Sequence, residues 1–184
     1  MLQFPRIPSW DAVHPLVVHF PIALLLIAPL FLAVALLASP ARARLFMVSA
    51  LLMMILGTVS VYFAAATGKA AAERAESRPQ VAAIIERHEH LAEETQVAFT
   101  ILTLLLAGIV MVPPIFKFHP RRISSVIASV VVLAIYVGPA ILLINTAHDG
   151  GLLVHQFGVT ANSTMDRAGL NIPGQQLGNQ IDRD

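Results

Sequence analysis

Hydrophobic residues occur along the chain in four long blocks, separated by polar or charged segments. The blocks cover residues 15–38, 43–67, 92–112 and 124–146. A bilayer has a hydrocarbon core about 30 Å thick, which a helix of about 20 apolar residues crosses. Each block is therefore long enough to span it. The pattern predicts an all-α integral membrane protein with a four-helix transmembrane bundle.

Proline and glycine mark where the predicted helices end. The third block stops at Pro113-Pro114 and the fourth at Gly150-Gly151, which are common helix terminators. Prolines also lie inside two blocks, where a membrane helix accepts them if a neighbouring helix satisfies the carbonyls that they leave free. We expect kinks at these internal prolines, which are Pro21, Pro29 and Pro139.

The segment between the second and third blocks has helical character of its own. Residues 69–76 and 80–94 combine charged positions with apolar ones at helical spacing. We therefore expect the second and third helices to extend beyond the bilayer and to meet near Pro79. The chain as a whole divides into a four-helix transmembrane domain, residues 1–160, and a polar C-terminal tail, residues 161–184. No internal repeat is evident in the sequence.

Composition restricts the chemistry that this chain can perform. Charged residues make up only 12% of the chain and the formal net charge is +1, so bulk electrostatics give no case for nucleic-acid binding. The chain has no cysteine, which excludes disulfides, thiolate metal sites, iron–sulfur clusters and covalently attached haem. Any metal or haem must be held by nitrogen or oxygen ligands.

Charge in the connecting segments predicts the orientation. The first–second and third–fourth connections carry basic residues and no acidic ones, whereas the second–third connection is rich in glutamate. The positive-inside rule then places the two basic connections in the cytoplasm. We expect a multi-pass protein of the inner (plasma) membrane, N-out and C-out, with both termini outside the cytoplasm. The basic residues are Arg42, Arg44, Lys117, Arg121 and Arg122.

Histidines concentrate at the predicted outer end of the bundle. Six of the seven lie there, and only His119 falls in a basic connection. His19 lies inside the first apolar block, where an ionisable side chain is costly unless it faces the bundle interior and has a partner. The six are His14, His19, His88, His90, His148 and His155.

Four of these histidines are the main candidates for binding a cofactor or metal: His14, His19, His88 and His148. His90 and His155 are weaker candidates, because solvated histidines are common at a membrane interface. Imidazole suits zinc, copper, iron and nickel, and two histidines on facing helices can ligate haem iron from both sides. No His-Glu-x-x-His pattern is present, so a zinc hydrolase is not favoured.

These motifs resemble a known family. The chain has His14-Pro15-x-x-x-His19-Phe20-Pro21, then Gly68, then His88-Glu89, and finally His148 with Gly150-Gly151 and His155. This set is similar to that of four-span bacterial membrane proteins classed as a domain of unknown function. The resemblance covers about residues 12–160. Some members are fused to Rieske-type or cytochrome c-like domains, which implies an electron-transfer or quinol setting.

Three hypotheses follow for function. The main one is a haem b protein that passes electrons near the outer, periplasmic face, an electron-transfer protein rather than a stand-alone enzyme. His19 and His88 would sandwich one haem, and His14 with His148 would hold a second if two are bound. The protein would contact the lipid bilayer and a redox partner, which would be a cytochrome c, a Rieske protein or a quinol. Assembly into a homo-oligomer is also compatible with the sequence. The alternatives are a copper- or zinc-binding module and a structural subunit of a larger membrane complex.

Overall fold

The computed structural model describes residues 10, 13–75, 79–117, 122–157 and 159. Within these ranges the protein is entirely helical, with no strand. The predicted polar tail lies outside the described residues. The helices are α1 (His14–Val17), α2 (His19–Leu37), α3 (Pro40–Ala75), α4 (Pro79–Ile115) and α5 (Arg122–His155).

Among the described residues, four helical segments are long and apolar enough to cross a membrane, which confirms the predicted fold class. The first joins α1 and α2, and the others are α3, α4 and α5. Helices α3 and α4 have 36 and 37 residues. At 1.5 Å per residue each is about 55 Å long, well beyond a hydrocarbon core of about 30 Å. Both therefore project past the bilayer, as the sequence predicts.

The four spans form an up-down bundle in which α2 and α4 lie diagonally. Each of these two helices packs against both α3 and α5. The core between them is apolar, and the outward-facing side chains are also largely apolar, as expected where lipid replaces water. The largest fully buried core side chains include Leu25, Leu32, Met54, Phe99, Leu102, Leu106 and Val132.

Internal prolines shape the first span. Pro21 has no N–H to donate to the carbonyl of Val17, and the helix is interrupted at Val18, between α1 and α2. Pro29 frees the carbonyl of Leu25 in the same way, and the buried hydroxyl of Tyr136 on α5 donates to that carbonyl at 2.7 Å. A neighbouring helix thus satisfies the group that the proline frees, as predicted.

Two predicted helix ends are wrong. Helix α4 continues through Pro113 and Pro114 to Ile115, and α5 continues through Gly150 and Gly151 to His155. The last turns of α5 are held by tertiary packing, because Leu153 is buried against Val81 and Ile85 of α4. That apolar contact offsets the poor helix propensity of the two glycines.

Buried positions of α2 are matched by buried positions of α4 at a constant separation along the chain. Buried positions of α3 are matched in the same way by buried positions of α5. The α2–α4 pairs, all buried, are Pro21 and Thr95, Leu25 and Phe99, Ala28 and Leu102, and Leu32 and Leu106. The α3–α5 pairs, also all buried, are Met47 and Ser129, Ala50 and Val132, Met54 and Tyr136, Val61 and Leu143, and Thr67 and Asp149.

This register shows that the bundle is built from two similar helix pairs. The first helix pair is α1–α2 with α3, and the second helix pair is α4 with α5. Ser129 and Met47 occupy matching positions and contact each other at 3.9 Å, as residues beside a two-fold axis do. The two pairs are thus related by an approximate two-fold axis along the bundle, a repeat that the sequence does not reveal.

Candidate functional site

One end of the bundle carries the histidines. We call this the histidine end; it is formed by α1, the end of α3, the start of α4 and the end of α5. A cavity of about 900 Å³ lies here, between the first and second helix pairs. Its size is in the upper part of the range typical of ligand pockets, about 300–1,000 Å³. Its walls contain many small residues, including Ala64, Ala65, Gly68, Ala92, Ala147, Gly150 and Gly151.

His14 lies on the wall of this cavity that the first helix pair forms. Its Nδ1 lies 3.0 Å from the carbonyl oxygen of Ala64 and 3.0 Å from the hydroxyl of Thr67. The ring also packs against Gly68, where an added Cβ would come within 3.0 Å of the imidazole Cε1. Glycine at position 68 therefore allows the histidine to approach the α3 backbone closely.

His88 lies on the opposite wall, which the second helix pair forms. Its Nδ1 is 3.0 Å from the carbonyl oxygen of Thr146. The ring packs against Gly150, where an added Cβ would lie 3.2 Å from the imidazole Cε1. Thr146 is fixed in turn by a 3.0 Å hydrogen bond between its hydroxyl and that of Thr95 on α4.

The two histidines are held in the same way by the two helix pairs. In each pair the imidazole Nδ1 faces a carbonyl on α3 or α5, and the glycine one turn later makes room for the ring. A carbonyl only accepts, so Nδ1 carries a proton. In a neutral imidazole held this way, Nε2 is the nitrogen with the free lone pair.

A buried carboxylate supports the second helix pair. Asp149 is 2% exposed and accepts two hydrogen bonds from the guanidinium of Arg87, one of them at 2.7 Å from Nε. Arg87 directly precedes His88, and Asp149 directly precedes Gly150. The ion pair therefore ties α4 to α5 where His88 meets Gly150. Sequence reasoning missed this pair, although an arginine and an aspartate beside two candidate motifs were a signal.

The other candidate histidines have different surroundings. His19 lines the cavity, is exposed, and has no hydrogen-bond partner among the described residues. His155 also lines the cavity and is exposed. His148 is exposed and is not part of the cavity lining, so the structure does not bring it to the other candidates. His90 is exposed and lies 3.5 Å from Glu94. His119 is outside the described residues.

Exposed and half-exposed residues of the cavity lining lie along two of the seams between helices, and we call these seams the two openings. The first opening lies between α3 and α4 and is lined by Tyr62, Lys69, Glu89, Glu93 and Gln96. The second opening lies between α2 and α5 and is lined by His19, Ile22, Ala147, Gly151, Val154 and His155. Both openings lie in the plane that separates the helix pairs. We call this cavity the slot; His14 lies on its side formed by the first helix pair and His88 on its side formed by the second.

The slot has a hydrogen-bonded imidazole on each side, His14 and His88. Among the described residues, no three or more His, Asp or Glu side chains are grouped so that they could hold a metal ion. His14 and His88 instead offer two imidazole donors from opposite helix pairs. In haem proteins the macrocycle supplies four nitrogens, and axial histidine is common. Two imidazoles that line one cavity are therefore compatible with a haem.

Comparison with known proteins gives a family but no function. No curated protein and no solved structure matches the chain. A family model described as "Predicted membrane protein (DUF2231)" matches residues 10–163, which includes every span and the whole cavity lining. The chain therefore belongs to the DUF2231 family of predicted membrane proteins.

Proposed function

We propose that this protein binds haem b in the slot, with His14 and His88 as the axial ligands, and passes electrons at the histidine end. One observation carries the proposal: two imidazoles face a shared cavity of about 900 Å³ from opposite helix pairs, and each is oriented by a backbone carbonyl. A ligating histidine almost always donates its other ring N–H in this way, which fixes the ring and raises its basicity.

The geometry changes the pairing expected from sequence. His19 with His88 was the expected pair, but His19 lies at an opening and makes no hydrogen bond to a described residue, whereas His14 is oriented by Ala64. The second pair expected there, His14 with His148, is not supported, because His148 lies outside the cavity lining. We therefore propose one haem.

The chain's own residues have separate tasks in this proposal. Haem, when bound, supplies one-electron chemistry between two iron oxidation states. His14 and His88 would hold it, while Gly68 and Gly150 let both rings lie close to the helix backbones. Most of the slot lining is apolar or small, and the polarity around a haem is one determinant of its redox potential.

A bare copper or zinc ion is the second candidate, and the donor set disfavours it. Structural zinc has four protein ligands and catalytic zinc three. His19, His155, Glu89 and Glu93 also line the cavity. Among the described residues, however, no three or more such side chains are grouped so that they could hold a metal ion.

The orientation in the membrane belongs to the same proposal. Arg42, Arg44 and Arg122 lie at the end of the bundle opposite the histidines. The positive-inside rule then puts the histidine end on the outer face of the plasma membrane, with both termini outside the cytoplasm. A redox partner there would be a cytochrome c, a Rieske protein or a quinol.

An absorption spectrum tests the proposal. The protein is expressed with sufficient haem, purified in nanodiscs and scanned before and after dithionite reduction. We expect a Soret band that shifts on reduction and the sharp bands of a six-coordinate low-spin b haem. Elemental analysis of the same sample measures copper and zinc. A protein without a Soret band, whether or not it carries copper or zinc, would overturn the haem proposal.

A further inference from the structure

The two openings of the slot occupy matching places in the two-fold arrangement but differ in chemistry. At the first opening, Lys69 of α3 and Glu93 of α4 form an ion pair with Nζ 3.4 Å from Oε1. At the second opening the matching positions are Gly151 of α5 and His19 of α2. The first opening is therefore bridged by two long side chains, and the second is not.

Gly151 leaves free space at the second opening. A Cβ added there would meet no heavy atom within 4 Å, unlike one at Gly68 or Gly150. His19, which also lines the cavity, is exposed and has no hydrogen-bond partner among the described residues. The second opening thus combines an exposed imidazole that no described residue hydrogen-bonds with open space at Gly151.

The depth of His19 in the membrane identifies the kind of molecule that can reach it. Helix α2 has 19 residues from His19 to Leu37, so it is about 28 Å long, close to the hydrocarbon thickness of about 30 Å. With Leu37 at one edge of the hydrocarbon core, His19 lies at the other. The second opening therefore faces lipid near the headgroup level, and a ligand can enter it from the bilayer.

The lining of the second opening favours a neutral ring-shaped headgroup. Its described lining contains no carboxylate, lysine or arginine: the apolar walls are Ile22, Ala147 and Val154, and the polar groups are His19 and His155. A charged phospholipid headgroup would find no counter-ion here. A neutral imidazole donates or accepts one hydrogen bond, which suits a hydroxyl or carbonyl group.

We infer that the second opening binds a lipid-dissolved quinone or quinol, with its headgroup hydrogen-bonded to His19 and its tail in the bilayer. This inference rests on the proposed function, because a membrane electron carrier beside a haem is its natural exchange partner. Gly151 makes the site possible by leaving the position that Lys69 fills at the first opening. The first opening is predicted to bind no such molecule.

Photoaffinity labelling tests this site. The probe is a decyl-tailed ubiquinone analogue with an azide on its ring, applied to the full chain in nanodiscs, with decylubiquinone as competitor. Crosslinked peptides are mapped by mass spectrometry. We expect labels on α2 near His19 and on α5 near Gly151, and we expect the competitor to remove them.

Two matched pairs of variants separate the site from general lipid contact. His19→Phe should reduce labelling about fivefold, the effect of losing one hydrogen bond. His90→Phe changes an exposed histidine outside the lining and should leave labelling unchanged. Gly151→Leu should also reduce labelling, by filling the opening, whereas Gly138→Leu adds the same side chain at another open position of α5.

The outcomes distinguish this inference from the haem proposal. Labels spread evenly over the lipid-facing helices, or labels that His19→Phe and Gly151→Leu leave unchanged, would overturn the quinone site. Labels concentrated at Lys69 and Glu93 would overturn the assignment to the second opening. An absorption spectrum of each sample shows separately whether haem is bound, so loss of haem without loss of labelling would contradict only the proposed function.

Discussion

The two helix pairs place a histidine in the same position but support it by different means. In the first pair, the hydroxyl of Thr67 lies within hydrogen-bond distance of Nδ1 of His14. At the matching position of the second pair stands Asp149, which is bound to Arg87 rather than to His88. One wall thus rests on neutral hydrogen bonds within the first pair, and the other on a buried carboxylate that ties α4 to α5. A shared backbone design therefore tolerates a change of polar support, as long as the carbonyl and the glycine remain.

The largest effect should come from the two histidines themselves. His14→Ala and His88→Ala should each reduce haem retention by more than about 100-fold, because even outer-sphere partners of metal ligands are worth about 10–100-fold. Haem per protein is measured by the pyridine haemochrome method. His148→Ala is the control, since His148 is exposed outside the cavity lining. Equal haem retention in His14→Ala and wild type would show that the histidine of the first helix pair does not hold the haem as that of the second does.

The glycines should come next. Gly68→Leu and Gly150→Leu place side chains where a Cβ alone would lie 3.0 Å and 3.2 Å from the imidazole carbons. Each ring must move, so haem retention should fall by about 10–100-fold. Gly108→Leu and Gly138→Leu are matched controls, because nothing lies within 4 Å of a Cβ at either position. Similar losses in the controls would show that leucine acts through the helix rather than through the histidine.

Polar support should affect stability more in the second pair than in the first. Asp149→Asn breaks the pair with Arg87, whose side chain is 60% exposed and so remains solvated. We expect a loss of about 1–3 kcal/mol in the free energy of unfolding, less than for a fully buried ion pair. Thr67→Val should cost about 1 kcal/mol. Thermal unfolding followed by circular dichroism measures both losses. A larger loss for Thr67→Val than for Asp149→Asn would contradict the prediction that polar support matters more in the second pair.

The smallest effect concerns the proline that only the first pair has. Thr103 stands in α4 where Pro29 stands in α2, so only Leu25 needs the hydroxyl of Tyr136. Tyr136→Phe should cost about 1 kcal/mol of unfolding free energy. In a Pro29→Ala background, the N–H of residue 29 can donate to the Leu25 carbonyl. The loss of unfolding free energy on Tyr136→Phe should then be smaller. A double-mutant cycle by thermal unfolding shows this, and additive losses would exclude the coupling.

Sequence patterns predicted the fold well because membrane helices are specified by length and hydrophobicity alone. The spans, the projecting α3 and α4, and the importance of the proline carbonyls all follow from such local rules. The repeat was not visible, because the two pairs match in which positions are buried rather than in residue type. Leu25 and Phe99 match in burial, and so do Thr67 and Asp149, yet their side chains differ.

The candidate site was predicted only in part, because helical phase decides which histidine faces the slot. His148 lies two residues from both Thr146 and Gly150, so it points about 200° away from the face that contacts His88. Gly150 was expected to end α5, and its contact with His88 could not be foreseen from sequence. The interruption at Val18 likewise shifts the phase between His14 and His19. Such facts depend on tertiary packing rather than on local pattern.

Electron paramagnetic resonance of the oxidised, haem-loaded protein tests the central claim most directly. We predict the low-spin signal of an iron with two histidine ligands in wild type and in the His19→Ala and His148→Ala variants. The same signal should be lost, or converted to high spin, in His14→Ala and in His88→Ala. A low-spin signal that survives both of the latter changes, or that disappears only with His19→Ala, would contradict the assignment of His14 and His88 as the axial pair.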